Sequence, residues 1–115
     1  LEDARLLFDY KRYNSSINRS YYSIFNSILS ILVFDNVKTR KHRKIIADFN
    51  QEYVFSKKVF ERRIGREIYK MIPLRENCDY EDFYYAKREE GEKAINFAQE
   101  FYDLVSKYRN RRIME

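Results

Sequence analysis

Arg19 is the residue of this 115-residue chain whose type and setting most invite chemistry. It lies inside Ser15 to Phe34, a stretch free of Gly and Pro that reads as one helix, with Asn14 or Ser15 as its N-cap because a short oxygen-bearing side chain can accept a first-turn amide. Beside it runs a stripe of serines, Ser16, Ser20, Ser23, Ser27 and Ser30, spaced four, three, four and three residues apart, and Asn26 flanks the stripe seven residues after Arg19. A guanidinium in that position is expected to be partly buried and to need an anion or several carbonyl partners. A phosphate suits it, and so does an acid such as Asp9 or Asp79. The stripe itself is informative, because a solvated face would normally carry Lys and Glu, whereas small hydroxyl residues let another helix approach closely. It reads as a second packing surface, expected to be a dimer contact, with plain exposure to water as the alternative.

A second concentration is the run Lys38-Thr39-Arg40-Lys41-His42-Arg43-Lys44, five Lys or Arg and the sole His within seven residues. Positive charge at a helix start opposes the helix dipole, so the run makes more sense if a polyanion such as RNA is bound by Lys38, Arg40, Lys41, His42, Arg43 and Lys44; a solvated loop is the other reading. Glu89 and Glu92 stand one helical turn apart, but charged surface is abundant and a solvated face accounts for them. Cys78, the sole cysteine, has no disulfide partner, no zinc set to join and no His beside it, so it reads as structural and the setting as reducing and cytoplasmic. No metal and no cofactor are expected. The chain contains no Gly-rich phosphate loop, HExxH, paired CxxC or GxSxG, which removes most motif-based enzyme classes.

Helices must position these residues. Two Gly and one Pro are too few for the many tight turns of a β-sandwich or barrel, and 44% apolar, 36% charged and 17% aromatic residues describe a folded chain, not a disordered one. The length suits one domain over residues 1–115. The net charge of +5 fits a nucleic-acid partner and equally a mixed-charge helical surface, and no apolar run reaches the length of a membrane span. Residues 1–12 carry Ala4, Leu7 and Phe8 at helical spacing and read as the end of a helix that starts upstream. In the next helix Ile17, Tyr21, Ile24, Ile28, Ile31 and Leu32 form the core-facing stripe. The basic run opens a third helix, continued by Ile45, Ile46 and Phe49. A fourth runs from Ser56 through Phe60, Ile64, Ile68, Met71 and Ile72, weakened slightly by Gly65, and Pro73 is expected to kink or end it. Glu76 to Glu92, with a net charge of −5, reads as a long acidic connection. Ala94, Ile95, Ala98, Phe101, Tyr102, Val105 and Tyr108 make a final amphipathic helix, and 109–115, with Arg109, Arg111 and Arg112, a frayed basic tail. The expectation is an all-α, up-and-down bundle of four to five helices.

Three segments carry a family resemblance. Asn18-Arg19-Ser20-Tyr21-Tyr22-Ser23-Ile24-Phe25 resembles the NRAYYA-hydrophobic-F signature of the HEPN superfamily (higher eukaryotes and prokaryotes nucleotide-binding domain) in its small prokaryotic branch. His42-Arg43-Lys44-Ile45-Ile46-Ala47-Asp48-Phe49 is similar to that branch's SHxxVIxxF segment, and Leu74-Arg75-Glu76-Asn77-Cys78-Asp79-Tyr80 to its LRxxxDY. The pieces fall in the same order and span most of the chain.

The resemblance implies a helical bundle that dimerises through the signature helix. It also implies a metal-independent ribonuclease, as many members are, often a toxin encoded beside a nucleotidyltransferase antitoxin. The active residues it implies are an Arg, a spacer of four to six residues and a His, gathered from both subunits at the dimer cleft. The Arg falls on Arg19, but the His position falls on Asn26. RNA cleavage by a ribose 2′-hydroxyl needs a group that exchanges protons near neutral pH; an amide does not titrate, and losing a general acid or base costs about 10²- to 10⁴-fold in rate. Weak or absent catalysis is therefore expected, with Arg19 holding phosphate, Asn26 hydrogen-bonding the ligand, and His42 belonging to another segment. The reading is a homodimer that binds RNA or a nucleotide; its rival is a non-catalytic interaction module that partners a nucleotidyltransferase.

Overall fold

The isoleucine stripe of the long second helix is the inner face of the molecule: Ile17, Tyr21, Ile24, Ile28, Ile31 and Leu32 are all buried. The structure, a computed structural model, describes residues 1–37, 42–80 and 84–114. Its elements are α1 (Glu2–Asp9), α2 (Tyr13–Phe34), α3 (His42–Phe49), a π-helical segment (Asn50–Ser56), α4 (Arg62–Tyr80) and α5 (Arg88–Met114), with no strand among the described residues. The fold is all-α, as composition required. α2 lies at the centre and packs against each of the other four α-helices, most extensively against α5. Around its stripe an aromatic cluster closes the core, with Phe49 stacked on Tyr53 at 5.1 Å and edge-on to Phe101 at 5.7 Å.

The near absence of glycine is met by other residues in left-handed backbone. Asn36, at φ 59°, ends α2 in a Schellman motif: the Val37 amide donates to the Leu32 carbonyl (2.8 Å) and the Asn36 amide to that of Val33 (3.1 Å). Lys11, at φ 61°, ends α1 in the same way, through Arg12 to Leu7 and Lys11 to Phe8. The two glycines instead sit inside helices where partners come close. A Cβ on Gly91 would meet Phe8 at 3.3 Å, and one on Gly65 would meet Asn50 and Val54 at 3.4 Å.

Several boundaries differ from the sequence reading. α2 starts at Tyr13 with no side-chain cap. Asn14 is diverted to a tertiary role: its Nδ2 donates to the Tyr84 carbonyl and its Oδ1 accepts the Ala86 amide, both at 2.7 Å, which ties the approach to α5 onto α2. α4 begins at Arg62, after the π-helical segment, and Pro73 does not end it. Pro73 and Tyr69, whose carbonyl loses its helical donor, are both exposed, so water can replace the missing bond while Met71 on the inner side stays buried. The acidic stretch is for the most part helix, since α4 runs to Tyr80 and α5 starts at Arg88. At that start Glu90 reaches back to accept the Lys87 amide (2.9 Å) and the Tyr84 hydroxyl (2.7 Å), half of a capping box. These bonds hold its carboxyl below the usual range, and the Tyr84 phenol is pushed up to about 12 by the same bond. Tyr102, placed on the inner face by sequence, is about half exposed at 49%.

The expected frayed tail is the last turns of α5, held by a buried carboxylate. Asp35 follows α2 at its negative dipole end, where an acid is unfavourable unless donors surround it. Its Oδ2 accepts the Tyr53 hydroxyl (2.7 Å) and the Tyr108 hydroxyl (2.6 Å), and the Arg112 guanidinium stands 3.6 Å from Oδ1. Arg112 also donates to the Tyr108 hydroxyl at 2.8 Å, so α2, the π-helical segment and α5 meet on one side chain. Burial and the Asp35 carboxylate raise both phenols. Asp35→Ala strands two hydroxyls and should cost about 2–4 kcal/mol, roughly 10 °C in melting temperature. A phenol raised on folding stabilises fully below its unfolded pKa, so melts of the wild type should also fall as pH rises above about 10, and less so in Asp35→Ala.

Candidate functional site

Three of the five serines of the stripe are buried within the chain. Ser16 and Ser20 are wholly buried and Ser27 is 6% exposed, against the chain's own helices. Ser16 Oγ donates to the Ala4 carbonyl of α1 at 2.8 Å, a contact that needs two small residues facing each other. Ser23 and Ser30 are half-buried and open into a groove of about 530 Å³ between α2 and α5. Of the five serines expected at a dimer contact, therefore, Ser16 and Ser20 are already enclosed by the chain itself.

That groove brings Arg19 and Asn26 together. α2 contributes Arg19, Tyr22, Ser23 and Asn26, α5 contributes Tyr102, Ser106 and Arg109, and Leu1 and Asp3 close one end. Seven residues on a helix amount to two turns, about 10 Å along one face, so Arg19 and Asn26 look out side by side. Arg19 is exposed, not partly buried as expected, and also borders a smaller polar groove with Asn14, Ser15, Asn18, Cys78 and Asp79.

Arg19 forms no ion pair among the described residues with either acid expected as a partner, Asp9 or Asp79, and Asp79 is engaged elsewhere. Asp79 accepts two hydrogen bonds from Asn18 Nδ2 (3.0 and 3.2 Å) and pairs with Arg75 at 3.1 Å. Arg75 in turn lies over the Tyr21 ring at 4.8 Å and the Tyr22 ring at 5.9 Å. Asn18, Tyr21 and Tyr22 of the first motif are thus locked to Arg75 and Asp79 of the third, one helical turn apart on α4. The lock orients α2 and leaves the Arg19 charge uncompensated. Sequence reasoning missed these contacts, although the spacing of Arg75 and Asp79 on one helical face was available as a signal.

Lys38, Arg40 and Lys41 lie outside the described residues, as do the side chains of His42 and Arg43; Lys44 is exposed on α3. Cys78 is half-buried, and burial, with Glu90 and Asp79 adding, pushes its thiol up to about 11, which keeps it protonated and unreactive at neutral pH. Among the described residues no group of His, Cys, Asp and Glu could hold a metal ion, and no helix is long and apolar enough to cross a membrane. The groove therefore offers cationic, hydroxyl, amide and aromatic groups, a set suited to holding an anion with an aromatic or sugar portion.

Comparison with known proteins agrees with the motifs. The chain is 31% identical over 107 residues to a UPF0332 protein of Thermotoga maritima, covering 93% of this chain and 80% of that one. It is similar also to two proteins of Methanocaldococcus jannaschii whose names class them as candidate toxins. One is 34% identical, covering 93% of this chain and 78% of that one, and the other 23% identical, covering 94% and 73%. The model of the HEPN domain matches residues 1–108, a span that takes in all three motif segments and every residue of α1 through most of α5, and the chain belongs to the HEPN family.

Proposed function

We propose that this protein is a HEPN-type RNA-binding homodimer of a toxin–antitoxin or defence system, with cleavage weak or absent. The observation that carries the reading is the pairing in one groove of Arg19, unmatched by any acid among the described residues, with Asn26. Arg19 holds a phosphate through its planar fork, Asn26 hydrogen-bonds phosphate or ribose, and Lys38, Arg40, Lys41, Arg43 and Lys44 add longer-range attraction. The relatives named as candidate toxins support the biological setting. Asn26 stands where the family pattern has its proton-transferring His, so the site binds better than it cuts.

The dimer contact is assigned to a different face of α2 from the one the serines mark. Leu29 and Val33 stand one helical turn apart on α2, and Val33 is 75% exposed. Both lie outside the groove lining and next to it, so pairing two copies along them sets the two grooves together at the seam and leaves Tyr22 and Asn26 facing the groove.

Three experiments test this. A labelled single-stranded RNA should bind at low salt and weaken steeply as salt rises, and Arg19→Ala should lose about 10- to 100-fold in affinity; no binding, or none lost in Arg19→Ala, would leave a protein partner such as a nucleotidyltransferase as the ligand. Asn26→His should raise RNA cleavage by about 10²- to 10⁴-fold, with a pH profile centred near ~6.5, and a rate equal to wild type would contradict the assignment of that position. In sedimentation the wild type should run at twice the 14.2 kDa chain mass, and Leu29→Glu with Val33→Glu as a single chain.

A further inference from the structure

α5 forms the other wall of the groove, and apart from Val105, which belongs to the core, its residues there reach outward from the packed face. Tyr102, Val105, Ser106 and Arg109 follow at intervals of three, one and three, one face of a helix turned toward Arg19 and Asn26. The two arginines near the end of this helix differ sharply. Arg112 is engaged by Asp35 and Tyr108. Arg109, half-buried, makes no hydrogen bond or ion pair among the described residues, and its Nε is enclosed without an acceptor. A guanidinium held part-way out of water with no anion is unfavourable unless something supplies one. Asp3 is the carboxylate of the groove lining and pairs with neither arginine, so two cations face one acid there.

The aromatic groups point the same way. Tyr102 is 49% exposed and Tyr22 38% exposed, and the two line the groove from opposite walls. Exposed aromatic faces between cationic side chains are what single-stranded nucleic acids use: bases stack on the rings while phosphates meet the charges.

Building on the RNA-binding reading above, we infer that α5 completes the site, with Arg109 as a second phosphate-binding residue and Tyr102 as a base-stacking surface. The ligand is then a single-stranded RNA segment of at least two nucleotides, not a lone mononucleotide, since two phosphates and two rings are served from opposite walls.

The test measures anisotropy of a labelled oligouridylate of about ten nucleotides against a salt series, with uridine monophosphate as competitor. Arg109→Gln should weaken binding about tenfold and lower the slope of log K against log salt by about 0.7, a change that a merely structural role would not produce. Tyr102→Leu should weaken binding about 5- to 100-fold and Tyr102→Phe should restore it, because the ring and not the hydroxyl stacks. The monophosphate should compete poorly. Should Arg109→Gln fail to fold by circular dichroism, Arg109→Lys decides: weaker binding with the wild-type slope supports a forked phosphate contact, and unchanged affinity overturns it. If Arg19→Ala loses binding while Arg109→Gln and Tyr102→Leu bind as wild type does, the role of α5 is refuted and the RNA-binding reading stands. If the wild type binds no RNA, both fall.

Discussion

Helix α2 has two faces buried at once, and the rest of the molecule follows from that constraint. Its isoleucine face builds the core, while its serine face lets the chain's own helices come close enough for a serine hydroxyl of α2 to bond a backbone carbonyl of α1. A helix enclosed on two sides retains only a narrow outward strip, and Arg19, Tyr22 and Asn26 occupy it. Chemistry on α2 is therefore confined to a few positions whose backbone is rigidly held, which is what a binding site requires if its groups are to be aligned before the ligand arrives.

The motif residues of α2 divide into those that hold the helix and those that face the groove, and Tyr22 does both. Asn18, Tyr21 and Tyr22 are taken up by Arg75 and Asp79 of α4. The same arrangement consumes the acid that would otherwise neutralise Arg19. At the other end of α2, Asp35 collects two tyrosine hydroxyls and an arginine, so the last turns of α5 are held as helix and keep Arg109 beside the groove. The two clusters, at opposite ends of the same helix, hold the walls of the groove in place.

Much of this was legible in sequence. The core stripe of α2 and the all-α class came from residue periodicity and the scarcity of glycine. Periodicity cannot say whether the neighbour of a small-residue stripe belongs to the same chain; within this chain Ser16, Ser20 and Ser27 are buried, while Ser23 and Ser30 open into the groove. Asn14 looked like a cap because its type is right for one; a tertiary pair of bonds at 2.7 Å outcompeted the local one. Pro73 breaks a helix only when its neighbours leave nothing to hold the two halves together, and buried Met71 holds them. The α5 wall was illegible for a different reason: Tyr102 and Arg109 gain meaning only from what lies across the groove, and that opposition is created by folding.

The central claim is that RNA lies in the groove between α2 and α5. Photo-crosslinking an oligonucleotide that carries 5-iodouridine, followed by peptide mapping, tests it directly, since the reaction reports which aromatic rings touch bases. The account predicts crosslinks at Tyr22 and Tyr102. Tyr10, Tyr69 and Tyr85 are at least as exposed as Tyr22 and line no part of the groove, so crosslinks concentrated on them would contradict it.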